Sequence, residues 1–184
     1  QAVRDGQPEW MLAPGATTDE YGKRSRFEVE RTKRFTVPPA GWGSTGRSIA
    51  AFTPHHLTHG TITPSGLHFE VNHHGIPDID PDPHELVIYG MVDRPLKFTV
   101  DQLMNYPTET RCHFLECSGN SGALWSPEPS DATLDRTHGL LSGSEWTGVP
   151  VAALLDEAGV KKGATWLIAE GGDSGSVSRS VPLD

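Results

Sequence analysis

Runs of apolar residues in this chain are short, and Gly or Pro interrupts nearly all of them. Residues 85–89 (Glu-Leu-Val-Ile-Tyr) are dense in branched and aromatic side chains and stop at Gly90, which predicts a strand. Val92-Asp93-Arg94-Pro95 has the composition of a turn, and residues 96–99 resume the strand pattern, so the two runs are expected to form a hairpin. Residues 100–106 predict one or two helical turns closed by Pro107. The longest strand is expected over 108–117, with Phe114 and Leu115 in its apolar part, running into a tight turn at Ser118-Gly119-Asn120-Ser121-Gly122. Residues 149–158 make the clearest helix, with Pro150 in the first turn, Leu154 and Leu155 as the apolar stripe and Gly159 as the stop. Residues 164–169 predict another strand, and Val181-Pro182-Leu183 begins one more. Three prolines in 76–83 exclude a helix there, because each restricts the residue before it. Residues 53–66 read as loop. Residues 1–50 show little periodicity and are expected to form an extended arm anchored by Trp10 and Trp42. The remainder, 51–184, reads as an α+β mixture of short elements.

Composition narrows the function classes. With 184 residues, 20 Gly and 15 Pro, the chain suits one loop-rich domain or the larger part of one, not a helical bundle. No apolar run approaches the ~20 residues of a membrane span. A net charge of −9 argues against a nucleic-acid surface and would suit a basic protein partner. The two cysteines, Cys112 and Cys117, are five apart and point to opposite faces of one strand, so no disulfide between them is expected. Cys112 is expected to face the core. The chain starts at Gln1 with no charged-then-apolar leader, and its last apolar run suggests further sequence beyond Asp184.

Cys117 is the sharpest chemical feature. A thiolate at a strand end, followed by small residues, can reach a cleft while leaving room for a ligand, and soft sulfur suits soft or high-valent metals. An isolated cysteine is more often a buried packing residue. A rival constellation is His55, His56 and His59, whose i, i+4 spacing matches helical zinc sites. Together with His73 and His74 they would make a zinc-dependent hydrolase, although Pro54 and Gly60 flank the run and it contains no acidic partner. A third possibility is an inactive fragment. Gly172-Asp173-Ser174-Gly175-Ser176 resembles the nucleophile motif of chymotrypsin-like proteases, but no matching histidine context lies upstream and only eight residues follow Ser176. It reads instead as a polar turn between two strands.

The run Arg111-Cys112-His113-Phe114-Leu115-Glu116-Cys117-Ser118-Gly119-Asn120 resembles the cysteine motif of the sulfite oxidase family. Phe69-Glu70-Val71-Asn72-His73, followed by Ile76-Pro77-Asp78-Ile79-Asp80-Pro81, resembles that family's Phe-x-Arg-Asn-His segment with its Pro-x-x-Asp-Pro continuation. Glu145-Trp146-Thr147-Gly148-Val149-Pro150 looks like the segment preceding a helix of that fold. Glu170-Gly171-Gly172-Asp173, ahead of Ser180-Val181-Pro182-Leu183, looks like its pterin-contacting block. Pro8-Glu9-Trp10-Met11, residues 57–69 and Glu116-Cys117-Ser118-Gly119-Asn120-Ser121 are similar to one branch, the molybdenum subunits of sulfane dehydrogenases in bacterial thiosulfate-oxidising systems.

The resemblance implies the N-terminal part of a β-rich molybdopterin-binding fold that carries molybdenum and molybdopterin. It implies Cys117 as the metal ligand, and Cys117 and His73 as catalytic residues. Phe69, Glu70, Val71, Asn72, His73 and Asp173 would hold the pterin and its phosphate. The implied reaction is two-electron oxygen-atom transfer to sulfur, either a protein-bound sulfane or sulfite, with electrons passed to a c-type cytochrome subunit. It further implies a sulfur-carrier partner, oligomerisation through a C-terminal domain, and a periplasmic location reached by the twin-arginine route. Val71 departs from the pattern, because an anion-binding Arg is expected at that position; His74 is placed to offset the lost charge.

Overall fold

The structure is a computed structural model that describes Pro14, Thr17 and residues 34–36, 49–125, 127 and 132–183. Every element described here lies in one compact unit, Thr32–Asp184. Strands β1 (Arg34–Thr36), β2 (Ile49–Phe52) and β3 (Glu70–Asn72) form an antiparallel sheet in that order, with Ile49 opposite Asn72 and Ala51 opposite Glu70. β1 thus falls inside the stretch expected to be an arm. Trp10 and Trp42 lie outside the described residues.

β4 (Glu85–Ile88) and β5 (Leu96–Thr99) pair as the expected hairpin. Their connection is longer than a tight turn, because Ile88 pairs with Leu96 and leaves residues 89–95 between them. Those residues have another task. α3 (Val151–Ala158) ends at Gly159, and its last carbonyls need partners. The backbone N–H of Arg94 donates to Ala158 O (2.9 Å), that of Asp93 to Gly159 O (2.7 Å), and the Arg94 guanidinium to Glu157 O. A cation at a helix C-terminus also complements its dipole. Pro150 is the residue before α3's first turn, not within it.

α1 (Val100–Leu103) starts with a complete capping box: Gln102 N–H donates to the Thr99 hydroxyl, and Thr99 N–H to the Gln102 side chain. Just beyond it, the Tyr106 phenol donates to the Glu157 carboxylate. That bond, then desolvation and the carboxylate's charge, raise the phenol above its ordinary value of 10.0.

β6 (Glu109–Glu116) pairs with β7 (Leu141–Gly148) along their whole lengths, from Glu109 opposite Gly148 to Glu116 opposite Leu141. The short helix α2 (Leu134–His138) precedes β7. β8 (Trp166–Glu170) and β9 (Ser178–Pro182) form a last hairpin, with β8 shifted two residues later at its start than expected. The buried apolar residues fall into two groups. Ala50, Ala51, Phe69 and Leu140 accompany the first sheet and β7, whereas Val92, Phe98, Leu154 and Ala158 lie where the β4–β5 hairpin meets α3.

Candidate functional site

Cys117 follows directly on the last residue of β6, and its backbone still belongs to the ladder: its N–H donates to Leu140 O at 2.9 Å. The chain then turns, with Asn120 N–H donating to Cys117 O (2.9 Å) and Gly122 N–H to Gly119 O (3.2 Å). The half-buried Cys117 thiol accepts a 3.5 Å contact from Gly119 N–H. A Cβ on residue 119 would stand 3.8 Å from that sulfur, so glycine keeps its flank open. Ser121 holds φ 63° at the end of the turn, a conformation that L-residues adopt at a cost.

Both cysteines are free, as expected. Cys112 does not face the core, however; it is exposed, as is every residue of β6. Its cross-strand partner Glu145 is exposed too. The loop over residues 53–69 meets β7 at Ser142, Gly143, Ser144 and Trp146, and leaves Cys112 and Glu145 uncovered.

Ser142 ties the second block to the first. Its hydroxyl, fully buried, accepts Phe69 N–H at 3.1 Å and lies 2.6 Å from Thr53 Oγ1. Thr53 Oγ1 donates its proton to Leu67 O (2.9 Å), so the hydrogen between the hydroxyls belongs to Ser142. Leu140, just before β7, therefore holds the Cys117 turn, and Ser142 within β7 holds the residue that leads into β3. Neither Thr53 nor Ser142 stands out in the sequence, where a small hydroxyl residue carries no mark of burial.

The run expected to bind the cofactor is divided between a buried anchor, two faces of β3 and the residues just past it. Phe69 is buried and its ring stacks on His68 at 5.0 Å, so its side chain anchors β3. Alternation along β3 places Val71, opposite Ala50, on one face, and Glu70 and Asn72 on the other. His73 and His74 lie just past the strand, both half-buried. Three buried polar atoms here have no hydrogen-bond partner: His68 Nε2, Asn72 Nδ2 and His74 Nδ1. A buried polar group left unsatisfied costs roughly 1–3 kcal/mol, so three in one segment call for a polar ligand.

Asp173 stands in the β8–β9 connection, where Ser176 N–H donates to its carbonyl at 3.1 Å. The protease-like stretch is thus a polar turn between two strands. Ser176 has φ 43°; it and Ser121 are the only non-glycine residues with positive φ among those described, and both sit in turns of the site. The β8–β9 turn packs against the end of β3: a Cβ on Gly175 would lie 2.7 Å from His74 Nδ1 and 3.4 Å from Asp173 Oδ2. His74 and Asp173 are therefore neighbours across Gly175, an approach that only glycine allows.

The histidine constellation takes a different form. His55–Leu57 is a 3-10 turn, which places His59 outside any helix, and His55 Nε2 pairs with His138 O at 3.0 Å. Among the described residues, no group of three or more His, Cys, Asp or Glu could hold a metal ion. The zinc-hydrolase alternative thus gains no support. A pocket of about 370 Å³ lies between this loop and β6–β7, lined by His55, Thr61, Phe114 and Glu116 among others, but not by Cys117.

Residues 73–184 match the family described as the oxidoreductase molybdopterin binding domain. The sulfane dehydrogenase SoxCD from Paracoccus pantotrophus has a chain similar in structure, with a TM-score of 0.83 and 35% identity over 98% of this chain and 46% of its own. The NADH nitrate reductase of Solanum lycopersicum is 36% identical over 121 residues, 64% of this chain and 13% of that protein. The mitochondrial sulfite oxidase of Macaca fascicularis is 31% identical over 163 residues, 85% of this chain and 28% of that protein. The chain thus spans less than a third of these curated relatives.

Proposed function

Because the chain belongs to the oxidoreductase molybdopterin-binding domain family, with the β-rich fold of the sulfite oxidase type, we propose that it forms part of a molybdenum enzyme that oxidises sulfur, with Cys117 as the protein's ligand to the metal. The family makes it an oxidoreductase domain and makes Mo-molybdopterin its cofactor. The observation that carries the finer reading is the turn that places a free, half-buried thiol beside Gly119 at the end of β6.

The residues present fit the cofactor. Asn72 Nδ2 and His74 Nδ1 are buried polar atoms without protein partners, beside the turn that carries Asp173. A pterin and its phosphate offer the donors and acceptors that these atoms need. We assign Asn72, His73, His74 and Asp173 to that role, with Phe69 and Glu70 fixing the strand that presents them. Cys117 would bind the metal through its sulfur, which the Gly119 N–H contacts at 3.5 Å. When bound, the cofactor would supply two-electron oxygen-atom transfer to sulfur. A c-type cytochrome, a one-electron carrier, suits this reaction as the partner that takes the electrons.

Val71 directs the choice of substrate. A small dianion such as sulfite draws much of its affinity from charge-assisted hydrogen bonds, each about 1.5–3 kcal/mol. With valine in place of the family's Arg, that affinity falls by roughly tenfold to a hundredfold. A sulfane sulfur carried on a protein arm gains binding energy from the protein–protein contact instead. The reading therefore favours protein-bound sulfane over free sulfite. Steady-state kinetics of the full-length enzyme on both substrates, with Val71→Arg alongside, tests it. Val71→Arg should lower KM for sulfite by about tenfold or more. A wild-type enzyme with a micromolar KM for sulfite, unimproved by Val71→Arg, contradicts the substrate assignment.

A further inference from the structure

We propose that Asn120 is the positioning residue for the Cys117 thiolate; the inference rests on Cys117 being the metal ligand. β6 and β7 pair up to Glu116 opposite Leu141, and Cys117 adds one more bond through Leu140 O. There the main chain leaves the ladder for the turn. The Asn120 side chain takes its place: Oδ1 accepts Leu140 N–H at 3.1 Å, and Nδ2 donates to Glu116 Oε1 at 2.9 Å. Its own backbone N–H closes the turn on Cys117 O at 2.9 Å. One carboxamide therefore mimics a peptide group and bridges the residue before the cysteine to the residue that holds the cysteine's N–H.

Chemistry fixes the orientation of this amide. Leu140 N–H can only donate and so faces oxygen, whereas an ionised Glu116 carboxylate can only accept and so faces nitrogen. No other side chain of this length both donates and accepts in that way. Asp at 120 keeps the acceptor for Leu140 but sets two carboxylates against each other. Ala loses both bonds. The sulfur sits two bonds from the backbone that these contacts hold, so slack in the turn becomes a change in sulfur direction. Partners that orient a metal ligand commonly matter by about 10- to 100-fold in affinity or activity.

The experiment uses the full-length holoprotein and reads molybdenum content and the Mo(V) electron paramagnetic resonance signal after partial reduction. That signal depends on how the thiolate is directed at the metal. Asn120→Asp and Asn120→Ala should shift the g values or give a second signal. The double variant Asn120→Asp with Glu116→Gln restores a donor and an acceptor with their places exchanged, and should return the wild-type signal. If the single variants lose molybdenum, recovery of the metal in the double variant supports the same conclusion. A wild-type signal in both single variants overturns the proposal, as does a shift or loss that the double variant fails to reverse. Cys117→Ser is measured alongside. A wild-type signal in that variant would mean that Cys117 is not the ligand, a failure of the underlying assignment and not of the role of Asn120.

Discussion

The Ser142 hydroxyl links the two halves of the site through a single oxygen. It accepts Phe69 N–H and donates to Thr53, whose own proton goes to Leu67 O. The bonds that Ser142 makes are buried, so deleting the hydroxyl leaves the Phe69 N–H without a partner. Ser142→Ala should destabilise the protein by about 1–3 kcal/mol, read as a lower denaturant midpoint. Cys112→Ser, at an exposed position, should change stability by no more than about 0.5 kcal/mol. Equal midpoints for the two variants would refute the assigned role of Ser142. At this scale Cys117 and Asp173 stand out in the sequence by the small residues that follow them. The sequence hid Ser142, Thr53 and Asn120, because a polar residue whose hydrogen bonds are all internal looks in sequence like one that faces water. Cys112 misled in the opposite sense: cysteine is usually buried, but neither face of β6 is covered around it.

The elements that were legible carry their own local signals. β4, β5, α1 and α3 are bounded by Gly90, the Thr99–Gln102 capping box and Gly159; β4, β5 and α3 form within two residues of their expected places, whereas α1 starts where expected but ends three residues early, at Leu103. β7 gave no such signal. Leu-Ser-Gly-Ser-Glu-Trp-Thr-Gly has poor strand propensity, and the strand exists because β6 pairs with it throughout and its buried hydroxyls bond the 53–69 loop. Gly159 tests the local side of this account. It stands at φ 73°, and a Cβ would come within 3.0 Å of Asp93 Oδ2 and 3.1 Å of Asp93 Cβ. Gly159→Ala should cost about 1–2 kcal/mol from the left-handed backbone alone. In thermal unfolding that is a fall of roughly 2–8 °C. Gly148→Ala, with nothing within 4 Å of the added atom, is the control. If Gly159→Ala unfolds with the control, Asp93 and Arg94 do not lock the end of α3 as described.

For the whole molecule, three segments far apart in sequence share one scaffold. β7 and the Leu140 that precedes it carry the base of β3 at Ser142 and the Cys117 turn at Leu140, and the β8–β9 turn closes on the residues after β3 through Gly175 and His74. Unsatisfied atoms and positive-φ serines gather in these same segments. That is the pattern of a site held in readiness for a ligand, since packing elsewhere maintains the strain. We assign the metal of that ligand to Cys117. Molybdenum K-edge absorption on the full-length holoprotein tests this assignment. Wild type and Cys112→Ser should show the same sulfur shell, the dithiolene pair plus one thiolate. Cys117→Ser should lack the thiolate contribution or the metal altogether. An unchanged sulfur shell in Cys117→Ser, or its loss in Cys112→Ser, would contradict the account.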